Sequence, residues 1–455
     1  MSKIVSETMQ NDQAQSQNDT ALAPAGMRTF YIILIGQVIS IVGSNLTSFG
    51  LGVWIFDQTG DAMPFALTVL FGSLPYVFLL PVAGSLADRW NRRWLMILAD
   101  SGNALSTLAV VLLLSFDALE VWHIYLLAAV GAAFGSFQQP AYQASIAMLV
   151  PKKHLARANG MMQSAASLGG VLAPMLAGFL FVAVGLGGIV LIDFATYFFA
   201  VFALLFVRIP QPKAAPSAEE HKSTVRGDVH FAWRYLRERP GLMGLLFYYA
   251  SVNFFLSTVF VLSGPMVLSQ HDAHTFGLVQ MTLGIGGLAG GLVASAWGGP
   301  QKLVRAGIGG IVLYMVGVIV AGARIHPAFP ALGLAFNVFF VSIVQSISNA
   351  IWQSKVAPEV QGRVFSLRMM LATVITPLAY LSAGPLADQV FEPLMAEGGA
   401  LANTALGALL ETGPGRGIGL IYVLSGVMVM LISLLAYLHP RIRRLEEEVP
   451  DAVSG

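Results

Sequence analysis

The stretch GSLADRWNRRWL, residues 84–95, places one acid and three arginines in a short gap between two long apolar runs. These runs cover about residues 62–87 and 94–116. A helix needs roughly 20 mostly apolar residues to cross a bilayer, so the two runs predict neighbouring membrane spans. The stretch between them, called the charged turn below, is predicted to join the two spans on one side of the membrane.

The composition indicates that membrane spans make up most of the chain. Of its 455 residues, 56% are hydrophobic and 11% are charged, whereas about 25% of residues are charged in an ordinary soluble protein. The absence of cysteine excludes disulfides, thiol catalysis and iron–sulfur clusters. The net charge of +1 is spread over the gaps between apolar runs and gives no reason to expect nucleic acid as a partner.

Twelve apolar runs of spanning length follow one another along the chain. The first six cover residues 28–56, 62–87, 94–116, 121–149, 158–184 and 187–208. The second six cover residues 241–269, 275–298, 304–323, 327–352, 363–390 and 416–439. Related connections follow the fourth and tenth runs, VPKKHLARANGMMQS and VAPEVQGRVFSLRMM. The predicted fold is an all-α membrane protein with twelve transmembrane helices in two six-helix pseudo-repeats.

The positions of lysine and arginine predict the orientation of these spans. With a cytoplasmic N-terminus, all of the 25 lysines and arginines lie on the inner side except Arg324 and Arg416. Cytoplasmic connections carry the excess of these residues in membrane proteins. Both termini are therefore predicted to be cytoplasmic.

Five segments follow from this arrangement. They are a disordered tail at 1–27, a six-helix bundle at 28–208, a linker at 209–240, a second bundle at 241–440 and a tail at 441–455. The linker contains DVHFAWRYLRERPG, in which Val229, Trp233 and Leu236 share one helical face. That pattern is typical of an amphipathic helix lying on the inner membrane surface.

The charged turn resembles the signature of the major facilitator superfamily between spans two and three, through Gly84, Leu86, Ala87, Asp88, Arg89, Arg92 and Arg93. Further stretches, among them FQQPAYQASIAMLVPKKHLARANGMMQS and AGPLADQVFEP, resemble the twelve-span proton-coupled efflux branch that includes macrolide-efflux and enterobactin-exporter-like proteins. The resemblance covers nearly all of residues 28–440. It implies export of small molecules across a bacterial cytoplasmic membrane by alternating access, in exchange for protons.

The resemblance also implies a role for a bend in span five, where antiporters of the superfamily carry the pattern G-x-x-x-G-P-x-x-G-G. Gly169, Pro174 and Gly178 keep that pattern here, while Ala173 and Ala177 replace two glycines. Small residues beside a proline allow close helix approach and a bend. Ordinary helix packing is the alternative explanation.

For the charged turn the resemblance implies a conformational latch. Asp88 is expected at the N-terminal end of span eleven, near Arg363, where the helix dipole favours an anion. Arg92 is expected to pair with Glu359. The predicted latch set is Gly84, Asp88, Arg89, Arg92, Arg93, Glu359 and Arg363. The alternative is that the arginines only hold this connection inside. The related letters GPLADQV at 384–390 lack the arginines and are predicted to begin a loop.

Two acids lie within predicted spans, where ionisable residues are costly and usually functional. These are Asp100 in span three and Asp193 in span six. Each is a candidate for the carboxylate that takes up and releases a proton during transport. The alternative is that each accepts hydrogen bonds from a neighbouring helix.

Polar and aromatic residues in the spans predict a substrate cavity between the two halves. The candidates are Asn45, Phe134, Gln138, Gln139, Asn253, Phe254, Asn337 and Gln345. This uncharged set favours an amphipathic organic molecule over a phosphate or dicarboxylate, because no arginine is predicted at mid-membrane depth. Hydrogen bonding between helices is the alternative role of the amides.

These observations favour a monomeric secondary exporter of a drug, siderophore or other secondary metabolite. A flippase for lysolipids, or an uncoupled facilitator, is the second hypothesis. The chain has no P-loop, no H-E-x-x-H motif and no catalytic pair at one depth. We therefore expect no enzyme activity, metal site or cofactor, with a proton gradient as the driving force.

Overall fold

The computed structural model of the protein describes residues 27–150, 154–205, 207 and 225–451. In these residues the regular structure is helical and contains no strand. The terms inner and outer below follow the orientation that the lysines and arginines predict. Residues 1–26 of the predicted tail at 1–27 and the first part of the linker fall outside the described residues, while Met27 begins a helix.

The helices are numbered in chain order. They are α1 Met27–Thr59, α2 Ala62–Arg89, α3 Arg92–Ser115, α4 Val121–Leu149, α5 Leu155–Leu205, α6 Val225–Arg237, α7 Pro240–Leu268 and α8 Ala273–Trp297. They continue with α9 Leu303–Ala323, α10 Ala328–Lys355, α11 Pro358–Pro385, a π-helical segment Leu386–Phe391, α12 Glu392–Met395, α13 Ala405–Leu410, α14 Arg416–Leu438, α15 Pro440–Arg443 and α16 Leu445–Glu448.

Eleven of these helical segments are long and apolar enough to cross a membrane. The longest, α5, has 51 residues and is interrupted at Gly185, whose φ of 65° is not helical. Glycine adopts a positive φ at little cost because it has no Cβ. At 1.5 Å per residue a straight α5 would measure about 77 Å, whereas the bilayer core is about 30 Å thick. The predicted all-α membrane fold is confirmed, and the break lies where spans five and six are predicted to meet.

Helix α6 occupies the predicted amphipathic segment of the linker. Ala232 and Leu236 form its buried face, while Trp233 remains 39% exposed. An ion pair of 2.9 Å between Asp228 and the Arg363 Nε of α11 attaches this helix to the second half of the chain.

The two halves of the chain meet through their outer parts. The Cβ of an alanine at Gly277 in α8 would lie 2.6 Å from the Pro174 carbonyl oxygen of α5, and one at Gly178 would lie 2.7 Å from the Ala273 carbonyl oxygen. Glycine at both positions therefore lets the backbones touch. Close by, the ring of Phe49 stacks on Phe276 with centroids 4.8 Å apart.

The start of α8 is fixed by an N-cap. Asp272 Oδ1 accepts a hydrogen bond of 2.9 Å from the backbone N–H of Thr275. Hydrogen bonds from Thr275 hold the pKa of Asp272 below its usual value. A carboxylate at this position satisfies a backbone donor that the helix cannot satisfy itself.

Candidate functional site

A first cavity, called the N-terminal cavity, lies among the inner halves of α1, α4 and α5 and encloses about 330 Å³. Its polar lining residues are Gln37, Tyr76, Gln138, Gln139, Tyr142 and Gln143. Gln138 and Gln139 were predicted for the substrate cavity, and Gly169 of the predicted bend also lines it. The Tyr76 hydroxyl donates to Gln139 Oε1 at 2.5 Å and thereby links α2 to α4.

Asp100 of α3 lies directly behind the wall of the N-terminal cavity. It is 3% exposed. Gln37 Nε2 donates to its Oδ2 at 3.1 Å, and Gln138 Nε2 donates to its Oδ1 at 2.5 Å. No lysine, arginine or histidine nitrogen of the described residues lies within 4.0 Å of it. Asp100 is therefore a buried acid held by neutral amides that themselves face the cavity.

Asp193 has a different environment. It is 6% exposed and accepts hydrogen bonds from Ser44 Oγ at 3.3 Å and Thr107 Oγ1 at 3.2 Å. An added Cβ on Gly43 would lie 2.8 Å from its Oδ1. Asp193 is thus enclosed where α1, α3 and α5 pack together, and it is not among the residues that line either cavity.

A second cavity, called the C-terminal cavity, lies among the inner halves of α7, α10 and α11 and encloses about 490 Å³. Its polar lining residues are Tyr249, Asn253, Tyr314, Gln345, Asn349, Gln353 and Arg368. Asn253 and Gln345 were predicted for the substrate cavity. Asn253 Nδ2 also donates to the Ala372 carbonyl oxygen at 3.2 Å.

Arg368 is the charged lining residue that sequence reasoning missed. Its guanidinium donates to Ser348 Oγ at 3.0 Å and to Asn349 Oδ1 at 3.3 Å and lies 5.6 Å from the centroid of the Trp352 ring. Within the described part of the chain, no carboxylate oxygen approaches it within 4.0 Å. The expectation of an uncharged cavity lining is therefore wrong.

The predicted start of span eleven also differs from the start of α11. The apolar pattern placed that start at 363, close to Arg368, whereas α11 begins at Pro358. Ten residues of helix put Arg368 about 15 Å from the beginning of α11. The available signal was Pro358 itself, because proline is favoured at the first position of a helix.

Four predicted cavity residues do not line either cavity: Asn45, Phe134, Phe254 and Asn337. Asn337 is completely buried and donates to the Tyr314 carbonyl oxygen at 3.0 Å, which joins α10 to α9. The Phe134 ring fills the space that a side chain at residue 102 would need. Phe254 packs edge-on against Phe255. At least Asn337 and Phe134 therefore serve helix packing.

Asp388 connects the two halves at their outer ends. Its Oδ1 accepts from the Ala62 backbone N–H at 2.9 Å and its Oδ2 from the Met63 N–H at 2.7 Å. These donors begin α2 and have no partner within that helix. At Gly384, one turn earlier, an added Cβ would lie 2.5 Å from Met63 Cα. An anion that caps the N-terminus of α2 stabilises this contact.

The prediction that residues 384–390 begin a loop is therefore wrong. They continue α11 into a π-helical segment. The letters G-x-L-A-D recur in the charged turn and here, as GSLAD at 84–88 and GPLAD at 384–388. The second copy forms, on the outer side, the type of contact that the resemblance implies for the first copy on the inner side. The name outer latch is used below for Gly384 and Asp388 with the first residues of α2.

The predicted inner latch is only partly described. The surroundings of Gly84 and the side chains of Asp88 and Arg89 lie outside the described part of the structure. Arg363 is paired with Asp228 instead, and no ion pair joins Arg92 to Glu359 among the described residues.

Arg93 has a local role that the prediction did not assign. Its Nε donates to the Leu204 carbonyl oxygen at 2.7 Å and its guanidinium also donates to the Leu205 carbonyl oxygen at 2.6 Å. The last carbonyls of a helix lack partners, and a cation there is favoured by the helix dipole. Arg93 therefore caps the C-terminal end of α5.

Metal binding has no support in the described residues, which contain no group of three or more histidines and acids able to hold an ion.

Comparison with known proteins relates the chain to transporters. A family model described as Major Facilitator Superfamily matches residues 33–380. Macrolide efflux protein A of Streptococcus pyogenes is 24% identical over 422 residues, which are 92% of this chain and 97% of that protein. The multidrug efflux pump Tap of Mycolicibacterium fortuitum is 22% identical over 366 residues, 78% of this chain and 88% of that protein.

Solved structures show the same fold. A bacterial homolog of the human lysosomal transporter Spinster, in an inward-facing and unoccupied conformation, superposes with a TM-score of 0.68 at 15% identity, covering 93% of this chain and 98% of the other. A bacterial homologue of the iron transporter ferroportin in an inward-facing state gives 0.60 at 14% identity, with coverages of 90% and 98%.

Proposed function

The chain belongs to the Major Facilitator Superfamily, and from this premise we propose that it exports an amphipathic organic compound in exchange for protons. It is a multi-pass protein of a bacterial inner membrane. The relatives named for macrolide and multidrug efflux support the outward direction. The observation that carries the proton-coupled part is Asp100, a buried acid with no described cation, bonded to two amides of the N-terminal cavity.

The arrangement of the halves supports a transport cycle that begins from this state. The outer latch and the contact of α5 with α8 hold the outer ends together, while both cavities lie among inner halves of helices. Cargo enters from the cytoplasm in this state. Rocking of the halves then breaks the bonds of Asp388 to α2 and exposes the cargo outside. The inner latch around Asp88 forms in that second state.

Asp100 couples the proton to the cargo through the two glutamines. The ionised carboxylate accepts one amide hydrogen bond on each oxygen. The protonated form is itself a donor, so Gln37 or Gln138 must turn its carbonyl oxygen toward Asp100 and its NH₂ toward the cavity. Protonation therefore changes the hydrogen-bonding face that the cargo meets, and proton and cargo favour different states of one site.

The lining supports an amphipathic cargo. Apolar side chains such as Ile41 and Met162 in the N-terminal cavity and Leu246 and Phe365 in the C-terminal cavity lie beside the amides. Such a mixture suits a molecule with a large apolar part and few polar groups. We propose that a monomer transports it, because each cavity is built within one chain.

The test is transport by purified protein in liposomes under an imposed pH gradient, with a panel of dyes, macrolides, siderophores and lysolipids. The matched variants are Asp100→Asn and Asp193→Asn, which remove one membrane carboxylate each. We expect gradient-driven movement that Asp100→Asn abolishes and Asp193→Asn retains. If a lysolipid moved at the same rate with and without the gradient and in both variants, the flippase hypothesis would replace export. If a soluble dye moved in this gradient-independent way, the result would support a facilitator.

A further inference from the structure

The charge of the C-terminal cavity is not used by the mechanism above. Arg368 is half-buried about 15 Å into α11. Charged residues at such positions in membrane proteins pair with an opposite charge or line a water-filled path for ligands. No acid of the described residues pairs with Arg368, and it lines a cavity of about 490 Å³. Its counter-charge is therefore expected to arrive with a ligand.

The neighbours of Arg368 orient it for such a ligand. Hydrogen bonds to Ser348 and Asn349 hold the guanidinium on α10, and the Trp352 ring supports one side of it. These two hydrogen bonds to described residues leave further N–H groups of the guanidinium available for a ligand. A planar fork of donors fits the two oxygens of a carboxylate or phosphate. Asn253, Gln345 and Gln353 add neutral groups to the same lining.

We propose that the C-terminal cavity binds an amphipathic molecule by a single anionic oxygen group, a carboxylate or phosphate monoester, on Arg368. The apolar part of the ligand lies against Leu246, Leu256 and Phe365, which line the same cavity. This inference rests on the proposed function, since it names the chemical class of the exported compound. It reverses the sequence-based expectation that an anionic cargo is disfavoured.

The test measures binding, without any gradient, to purified protein in an uncharged detergent. The probes are dansyl-labelled undecanoic acid, its methyl ester and the corresponding undecylamine. Charge-assisted hydrogen bonds predict that wild-type protein binds the acid about tenfold more tightly than the ester. Arg368→Gln is expected to bind acid and ester equally, and Arg368→Lys to keep part of the preference.

Arg305→Gln is the matched control. It removes an arginine that is exposed at the inner end of α9 and is expected to keep the full preference for the acid. Size-exclusion profiles and thermal unfolding establish that each variant is folded. Equal binding of acid and ester by wild type, or an acid preference that survives Arg368→Gln, would overturn the assignment.

A second pair of probes separates the two sources of the anion. An Arg368-dependent preference for lysophosphatidic acid over lysophosphatidylcholine that exceeds the preference for the acid over its ester would assign the group to a lipid phosphate. A preference among the carboxylates alone would assign it to a soluble amphipath. These binding measurements involve no proton gradient. A negative result for proton coupling in liposomes would therefore leave the binding result unchanged, and a negative binding result would leave the evidence for coupling unchanged.

Discussion

The two cavities of this transporter differ in the sign of their charge. An acid, Asp100, lies behind the wall of the N-terminal cavity and is held by amide donors. The C-terminal cavity has a base, Arg368, held by a hydroxyl and an amide oxygen. Neither charge has an ion-pair partner among the described residues.

An isolated charge in a membrane is costly. We therefore propose that a proton neutralises Asp100 and that an anionic group of the cargo neutralises Arg368. This division of tasks places the proton in the N-terminal half and the anionic group of the cargo in the C-terminal half.

The largest effect is expected from exchanging the two charged residues for neutral ones, one at a time. Asp100→Asn should abolish the pH dependence of cargo binding while keeping the preference for acid over ester. Arg368→Gln should abolish that preference, about tenfold in affinity, while keeping the pH dependence. Fluorescence titration of the dansyl probes over a pH series measures both. If either variant lost both properties, the division between the halves would be wrong.

A smaller effect is expected from a substitution at the contact between α5 and α8, where the two halves touch. Gly277→Ala places a Cβ 2.6 Å from the Pro174 carbonyl oxygen, and overpacking of this kind costs about 1–3 kcal/mol. It should shift the population toward states with separated outer ends. Gly291→Ala, in the same helix but facing open space, should leave this population unchanged.

The shift can be measured by distances between spin labels. The chain has no cysteine, so labels can be attached through Ala118→Cys and Ala400→Cys, both at exposed positions on the outer side of opposite halves. Unchanged distance distributions in Gly277→Ala would show that this contact does not hold the outer side closed.

The outer latch should contribute less than the contact at Gly277 to holding the outer side closed. Loss of a helix N-cap costs about 1 kcal/mol, so Asp388→Ala should raise the outward-open fraction about fivefold. Asp388→Asn keeps one neutral capping oxygen and should give a smaller shift. The same spin labels test this order, and an Asn variant more open than the Ala variant would contradict the capping role.

The smallest effect is expected from Asp193→Asn. Its carboxylate is enclosed by Ser44 and Thr107 in the packing of the N-terminal half, away from the residues that line the cavities. The variant should keep proton-driven transport and lose no more than about 1 kcal/mol of stability, the contribution of a typical hydrogen bond. Loss of coupling with unchanged thermal stability would move the proton site from Asp100 to Asp193.

The membrane class, the approximate spans and the family could be predicted from the sequence, because these depend on apolar runs longer than a bilayer and on local motifs. The sequence also indicated Asp100 as an acid within a span and Gln138, Asn253 and Gln345 as candidates for a cavity lining, because polar residues stand out in an apolar background. Its errors concern side-chain contacts. Arg368 was not expected in a cavity lining, because an apolar pattern does not show which side chains of a helix face a cavity.

Which polar residues face a cavity and which join helices depends on the tertiary structure. Asn337 and Asn253 look alike in sequence, yet one is completely buried between α9 and α10 and the other lines a cavity. Asp388 contacts α2 across more than 300 residues of chain. Side-chain direction and contacts between distant helices depend on how the halves pack, and no local pattern in the chain encodes that arrangement.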